Sequence, residues 1–165
     1  AKNYVGVDNL LQDCQGKKWS EHVPTEGRCT AYSPKDILIG YSSPYLKKIW
    51  FADNAGGTNG DVLVIQTTDE RVLPKYLYQV LSDDAFFTYD MQHAKGAKMP
   101  RGNKDKILDY KIPLPPLSEQ QRIVEILDKF DTLTNSISEG LPLEIQLRRQ
   151  QYEYYREQLL AFPHP

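Results

Sequence analysis

Pro113, Pro115 and Pro116 fall within four residues and limit what the last third of the chain can become. Proline gives no N–H to a strand ladder and clashes inside a helix. The stretch is a rigid lead-in that closes one structure and opens another. Ser118 then stands at an N-cap position, with Gln121 three residues on as in a capping box, and Glu119 in the first turn suits the helix dipole. Ile123, Ile126, Leu127, Phe130, Leu133 and Ile137 follow at steps of three and four, which draw one apolar stripe along a helix. Gly140 is a stop signal and Pro142 a restart at an early helical position. A second helix carries Leu141, Ile145, Tyr152, Tyr155, Leu159 and Phe162 roughly in phase. At ~20 residues it would span ~30 Å. The pattern fits a helical hairpin capping a small domain, or a coiled-coil spacer that holds two objects at a set distance.

Upstream, strands and helices are intermixed. Tyr4, Val5, Val7 and Leu10 suggest a short opening strand, and the polar stretch Gln12–Tyr32 a loop or hairpin. Trp19 in that stretch reads as a local packing anchor rather than a base contact, and His22 as a surface histidine. Asp36–Tyr41 predicts a strand in which Gly40 marks a bulge or a close backbone approach. Leu46–Ala52 predicts another, with Lys47 and Lys48 placed either to face phosphates or to blunt a sheet edge. Residues 54–60, NAGGTNG, read as a flexible turn, and DVLVIQT after it as a third, mostly buried strand. Pro74 opens a helix with Leu77, Val80 and Leu81 on one face, and Asp83 or Asp84 caps a shorter one whose aromatics are core. Ile107–Leu114 is expected to be extended. The fold class is therefore α+β, with a mixed α/β domain over 1–111 and a two-helix, coiled-coil-like region over 112–165.

Net charge is −2, which argues against indiscriminate nucleic-acid binding, but the charge is unevenly spread. Residues 1–90 carry 9 basic and 12 acidic side chains, and residues 112–165 carry 5 and 8. Residues 91–111 carry 6 and 2, the one positive block. It fits a DNA footprint confined to one face, or equally a solvated loop. If it reads DNA, Arg101 and Asn103 have the chemistry for base edges, and Lys95, Lys98, Lys104 and Lys106 for phosphates.

Catalytic signatures are missing. NAGGTNG lacks the Lys-Ser/Thr of a nucleotide-binding P-loop. Ser43-Pro44-Tyr45 is the nearest approach to the Asn/Asp-Pro-Pro-aromatic loop of an amino-methyltransferase. Three histidines and two cysteines give no zinc spacing, and no carboxylates form a recognisable metal-nuclease cluster. The expectation is a chain with no catalytic residue, no metal and no cofactor of its own. Cys14 and Cys29 are expected to be thiols in a cytoplasmic chain, and no apolar run is long enough to cross a bilayer.

The run IPLPPLSEQQRIVEILDKFD, followed by GLPLEIQLRRQQYEYYREQLLAF, closely resembles a region of the DNA-specificity subunits of type I restriction-modification systems. The likeness covers about fifty residues. KDILIGYSSPYLKKI, the Gly-Gly turn with DVLVI after it, and LPKYLYQVLSD resemble that family's target-recognition domain more weakly. The resemblance implies a non-catalytic reader of double-stranded DNA. It implies partners that carry the chemistry: a methyltransferase (modification) subunit using S-adenosylmethionine, and a motor/nuclease (restriction) subunit using ATP and Mg²⁺. Typical members hold two recognition domains and two helical regions in one chain, and this chain holds one of each. It resembles a half-size subunit or the C-terminal half of a larger one, and its opening looks abrupt. A half-size chain is expected to pair with a second copy through Ile145, Tyr152, Tyr155 and Leu159, which would make the target a split palindrome. The competing class is a helical assembly module that does not touch DNA. A self-contained nuclease or methyltransferase is the weaker third.

Overall fold

A computed structural model describes residues 3–96, 100–135 and 142–162. The chain divides into two compact units. One runs from the start to Thr68 and resumes over Ala85–Tyr110; the other is Asp69–Asp84 together with everything from Lys111 on. One crossing between the units falls at residues 110–111, and Asp69–Asp84 belongs with the helices rather than with the sheets.

Short β-rich runs make the first unit. β1 (Tyr4–Val5), β2 (Thr30–Tyr32) and β5 (Gly56–Thr58) form one sheet in the order β1-β5-β2. β3 (Ile37–Gly40), β4 (Ile49–Phe51) and β6 (Val62–Ile65) form the second, with β3 in the centre and antiparallel to both neighbours. All four residues of ILIG are buried, so this antiparallel sheet is covered on both faces at β3. Both sheets contribute to one core of Val5, Leu10, Tyr32, Leu38, Trp50, Ala52 and Val62, in which Tyr32 and Trp50 meet edge to face at 5.7 Å. Gly40 is a close approach, as expected: a Cβ there would lie 3.1 Å from Val7 and 3.3 Å from Lys48.

Four local expectations are corrected. Glycines 56 and 57 belong to the middle strand of a sheet, pairing with β1 on one side and β2 on the other, not to a flexible turn. Leu46–Ala52 is only half strand, because Pro44–Leu46 forms a 3-10 turn and pairing begins at Ile49. Ile107–Leu114 opens helically: α3 spans Lys104–Leu108, and Asn103 caps it by accepting from the N–H groups of Asp105 and Lys106 at 3.1 and 3.3 Å. Trp19 is no packing anchor, being 64% exposed. α2 (Asp84–Gln92) keeps Phe86 and Phe87 buried as core, and Phe86 meets Tyr110 edge to face at 5.1 Å. Neither Cys14 nor Cys29 is in a disulfide.

The second unit joins α1 (Pro74–Leu81), α4 (Leu117–Asn135) and α5 (Pro142–Leu159). Pro142 is the first residue of α5, as expected. α4 starts at Leu117, so Ser118 lies inside the first turn, and Gln121 bonds forward to Glu125 rather than back to a cap. Ile123, Val124 and Leu127 are buried from α4, and Tyr76, Val80 and Leu81 from α1. Gln120 is fully buried. Its amide donates to the carbonyls of Arg71 and Pro115, and its Oε1 accepts from Leu73 N–H, all between 2.8 and 2.9 Å. The Tyr76 hydroxyl donates to Pro113 O at 2.8 Å, so the proline lead-in is bonded into the helical unit. At 19 and 18 residues, α4 and α5 are each about 27–29 Å long. None of the described helices is long and apolar enough to cross a membrane.

Candidate nucleic-acid interface

The basic block is built onto the end of β3. Lys95 and Arg101 exchange both backbone hydrogen bonds, at 2.9 and 2.8 Å, which ties the two flanks of the basic block together. Gly102 N–H then donates to Tyr41 O and Ser43 N–H to Pro100 O, each at 2.7 Å. On its other side the 42–47 segment accepts from Asp13 N–H at Leu46 O and from Cys14 N–H at Lys47 O. Segments 11–17 and 42–47 and the two flanks of the basic block, Lys95 and Pro100–Gly102, are thus bonded together in the first unit.

Tyr41 organises the cations there. Its hydroxyl donates to Gly60 O and accepts from Arg101 Nη2 at 2.6 Å. The Arg101 guanidinium lies 4.7 Å from the Tyr41 ring centre and pairs with Asp61 at 3.1 Å. The tyrosine hydroxyl, with Asp61 beside it, holds that guanidinium charged, well above any working pH. Lys104 places its ammonium 4.9 Å from the same ring centre.

The other expected contacts scatter in character. Lys95 and Lys106 are exposed. Lys98 lies outside the described residues. Lys47 is half-buried, and Lys48 donates its ammonium to Val7 O at 3.1 Å, which occupies it in the fold. Asn103 is corrected as a base-edge candidate: its Oδ1 is taken by the helix cap, whereas an adenine contact needs that acceptor together with the amide donor. Arg101 keeps about half its side chain in solvent while Tyr41 and Asp61 fix its direction.

On the helices, Tyr152 is buried and so is unavailable to a partner, against expectation. It packs on Phe130 edge to face at 6.0 Å, and the buried Arg156 guanidinium covers its ring. Tyr155 is 39% exposed and stacks on Phe130 at 5.1 Å, while Ile145 and Leu159 are half-buried. Among the described residues of α4 and α5, Leu117, Leu133, Leu147 and Tyr154 are also left in solvent, which periodicity alone does not separate from the buried stripe.

Beneath the basic loop lies Asp90. It is 1% exposed, and neither carboxylate oxygen has a hydrogen-bond partner among the described residues. Burial pushes its carboxyl up to about 6. A folded pKa above the unfolded one means the folded state holds the proton more tightly, so stability falls as pH rises through the window from about 4 to about 6. At pH 7 the penalty is about 3 kcal/mol. Asp90→Asn should flatten that window and recover part of the loss, since an amide there also lacks partners. Urea titrations of both proteins at pH 5 and pH 7.5 check this; equal pH dependence in the two would exclude it. Among the described residues no three His, Cys, Asp or Glu side chains gather as a metal site.

The sequence profile of the type I restriction modification DNA specificity domain matches residues 3–147. The chain is 50% identical over 96 residues to the type I restriction enzyme EcoR124I/EcoR124II specificity subunit of Escherichia coli, covering 58% of this chain and 24% of that one. It is 42% identical over 128 residues to a putative type I restriction enzyme specificity subunit of Haemophilus influenzae, covering 77% and 32%. The chain thus spans about a quarter to a third of these curated relatives. The fold matches the HsdS subunit from Thermoanaerobacter tengcongensis with a TM-score of 0.61 at 24% identity, over 82% of this chain and 36% of that one. A chain from a structure of a type I R-M system matches with a TM-score of 0.63 at 24% identity, over 98% and 43%. With the profile covering most of its length, this chain belongs to the type I restriction-modification DNA specificity family.

Proposed function

We propose that the chain is a non-catalytic reader of double-stranded DNA that directs a methyltransferase subunit and a motor/nuclease subunit to their target. The observation that carries this is the set of bonded segments in which the flanks of the one basic stretch of the sequence are pinned around Tyr41. Phosphate contacts by long, solvated lysines set register, and a guanidinium held in a fixed direction reads a base edge. Arg101 fits the second role, and Lys95, Lys98, Lys104 and Lys106 the first. S-adenosylmethionine, ATP and Mg²⁺ then belong to the partner subunits, and the isolated chain turns over none of their substrates.

The helical unit supports a further part of the reading. Leu133, Leu147 and Tyr154 are each more than half exposed on α4 and α5. They suit a two-fold pairing with a second copy, on a scaffold that also receives the methyltransferase subunit. Such a homodimer would read a split palindrome whose spacing follows helix length.

The test is DNA binding as a function of salt. Fluorescence anisotropy with a labelled duplex pool carrying a random centre of about 30 base pairs should show salt-dependent binding. Replacing Lys95, Lys98, Lys104 and Lys106 together by alanine should lower the log–log salt slope by up to about 0.9 for each phosphate left without its lysine. An unchanged affinity and slope would remove the loop from the footprint. Light scattering of the same chain and of Leu147→Glu reports the pairing: a monomer at tens of micromolar in both rules it out. Methylation of a selected duplex should appear only when the modification subunit is added, and methyl transfer by the purified chain alone would overturn the non-catalytic reading.

A further inference from the structure

Tyr45 is an aromatic side chain displayed by the fold. It sits at the crown of the 3-10 turn Pro44–Leu46, and 56% of its surface is in solvent while Pro44 beside it is buried. The turn is bracketed by two residues in left-handed backbone, Ser43 at φ 54° and Lys47 at φ 51°, a conformation unfavourable for side chains of their kind. Hydrogen bonds from both flanking loops hold it there: Ser43 N–H to Pro100 O, Asp13 N–H to Leu46 O and Cys14 N–H to Lys47 O. The backbone that presents the ring is therefore held in place rather than left on a slack loop.

The turn and the segment bonded to it carry cationic side chains, one of them paired with Asp61. Lys47 follows two residues on, and Arg101 pairs across the backbone with Ser42. The cations of Arg101 and Lys104 gather on Tyr41, one residue before that bridge. An exposed ring on a held backbone, on segments that also carry cations, is complementary to a polyanion that offers flat apolar faces, as DNA sugars and bases do. We propose that Tyr45 is a direct DNA contact, its ring packed on sugar and base edges while Arg101 and the lysines hold the flanking phosphates. This rests on the DNA-reading function proposed above and adds a residue that charge does not reveal.

The same anisotropy assay decides it. Tyr45→Ala should weaken binding about ten-fold. Its salt slope should stay unchanged, because an uncharged side chain releases no counterion. Tyr45→Phe should bind within about two-fold of the parent chain, and neither variant should move the melting temperature, given the exposure of the ring. Tyr45→Ala binding like the parent, while the lysine variants still weaken binding, would overturn the Tyr45 contact and leave the DNA reading intact. Absence of DNA binding by the parent chain would sink both. Independently of any variant, bound duplex should shield Tyr45 from nitration by tetranitromethane, read by peptide mass spectrometry. Equal nitration with and without DNA refutes the contact, and would direct attention to a protein partner on that face.

Discussion

Gly56→Ala should unfold the sheet unit or destabilise it by about 3 kcal/mol or more, beyond ordinary overpacking. A Cβ at Gly56 would lie 1.8 Å from Asn3 O and 2.6 Å from the Tyr32 hydroxyl. Asn3 O is a backbone oxygen that accepts from Gly57 N–H at 3.0 Å, and the Tyr32 hydroxyl donates to the same oxygen at 3.0 Å. Asn3 O cannot retreat without loosening the approach of β1 to β5, and a shift of the Tyr32 hydroxyl would break its bond to that oxygen. The neighbouring glycine is the control. A Cβ at Gly57 would meet Cys29 at 3.5 Å and Thr30 O at 3.9 Å, ordinary contact distances, so Gly57→Ala should cost little. Circular dichroism melts of the two variants make the comparison. Equal behaviour would mean that the close packing of β1 on β5 does not govern stability.

Gln120→Leu should destabilise the helical unit by about 3 kcal/mol, and lower the melting temperature by roughly 6–12 °C if the chain melts as one transition. The side chain has almost the same size, so no cavity accounts for the loss. What disappears are three hydrogen bonds, leaving Leu73 N–H and the carbonyls of Arg71 and Pro115 without that partner. Gln120→Glu sharpens the test. A carboxylate can still accept from Leu73 N–H but has no donor for the two carbonyls, and it faces them with negative charge. Its loss should therefore be no smaller and should ease on acidification, as the protonated acid regains one donor. A cost below about 1 kcal/mol for both variants in urea titrations would show that the clamp is dispensable.

The two positions also mark where sequence patterns stop informing. Helical spacing and proline positions suffice for α1, α4 and α5, and the apolar runs ILIG and VLVI for β3 and β6. Gly56–Thr58 stays hidden because glycine carries no strand propensity, and its place in the sheet follows from a backbone approach that forms only with distant residues. Gln120 escapes notice beside Gln121 because the capping-box rule concerns local bonds, whereas Gln120 bonds to a segment nearly fifty residues earlier. In the basic block the lysines are visible as charge, but the Asn103 cap and the Tyr41 support of Arg101 are not. One depends on where a five-residue helix starts, the other on a partner sixty positions away. Tyr152 lies on the expected helix but on its inner face, since spacing cannot tell inner from outer when two helices pack on each other.

The path of the chain through its two units has a consequence for grafting. It passes between them three times, near residues 68, 84 and 110. A chimera made with a single crossover at the proline lead-in would take α1 from one parent and α4 from the other, and Gln120 would then have to find the carbonyl and N–H of a foreign Arg71–Leu73 segment. A transplant of recognition that keeps the host's helices whole must instead exchange two pieces at once, the segment up to Thr68 and Ala85–Tyr110, and leave Asp69–Asp84 behind.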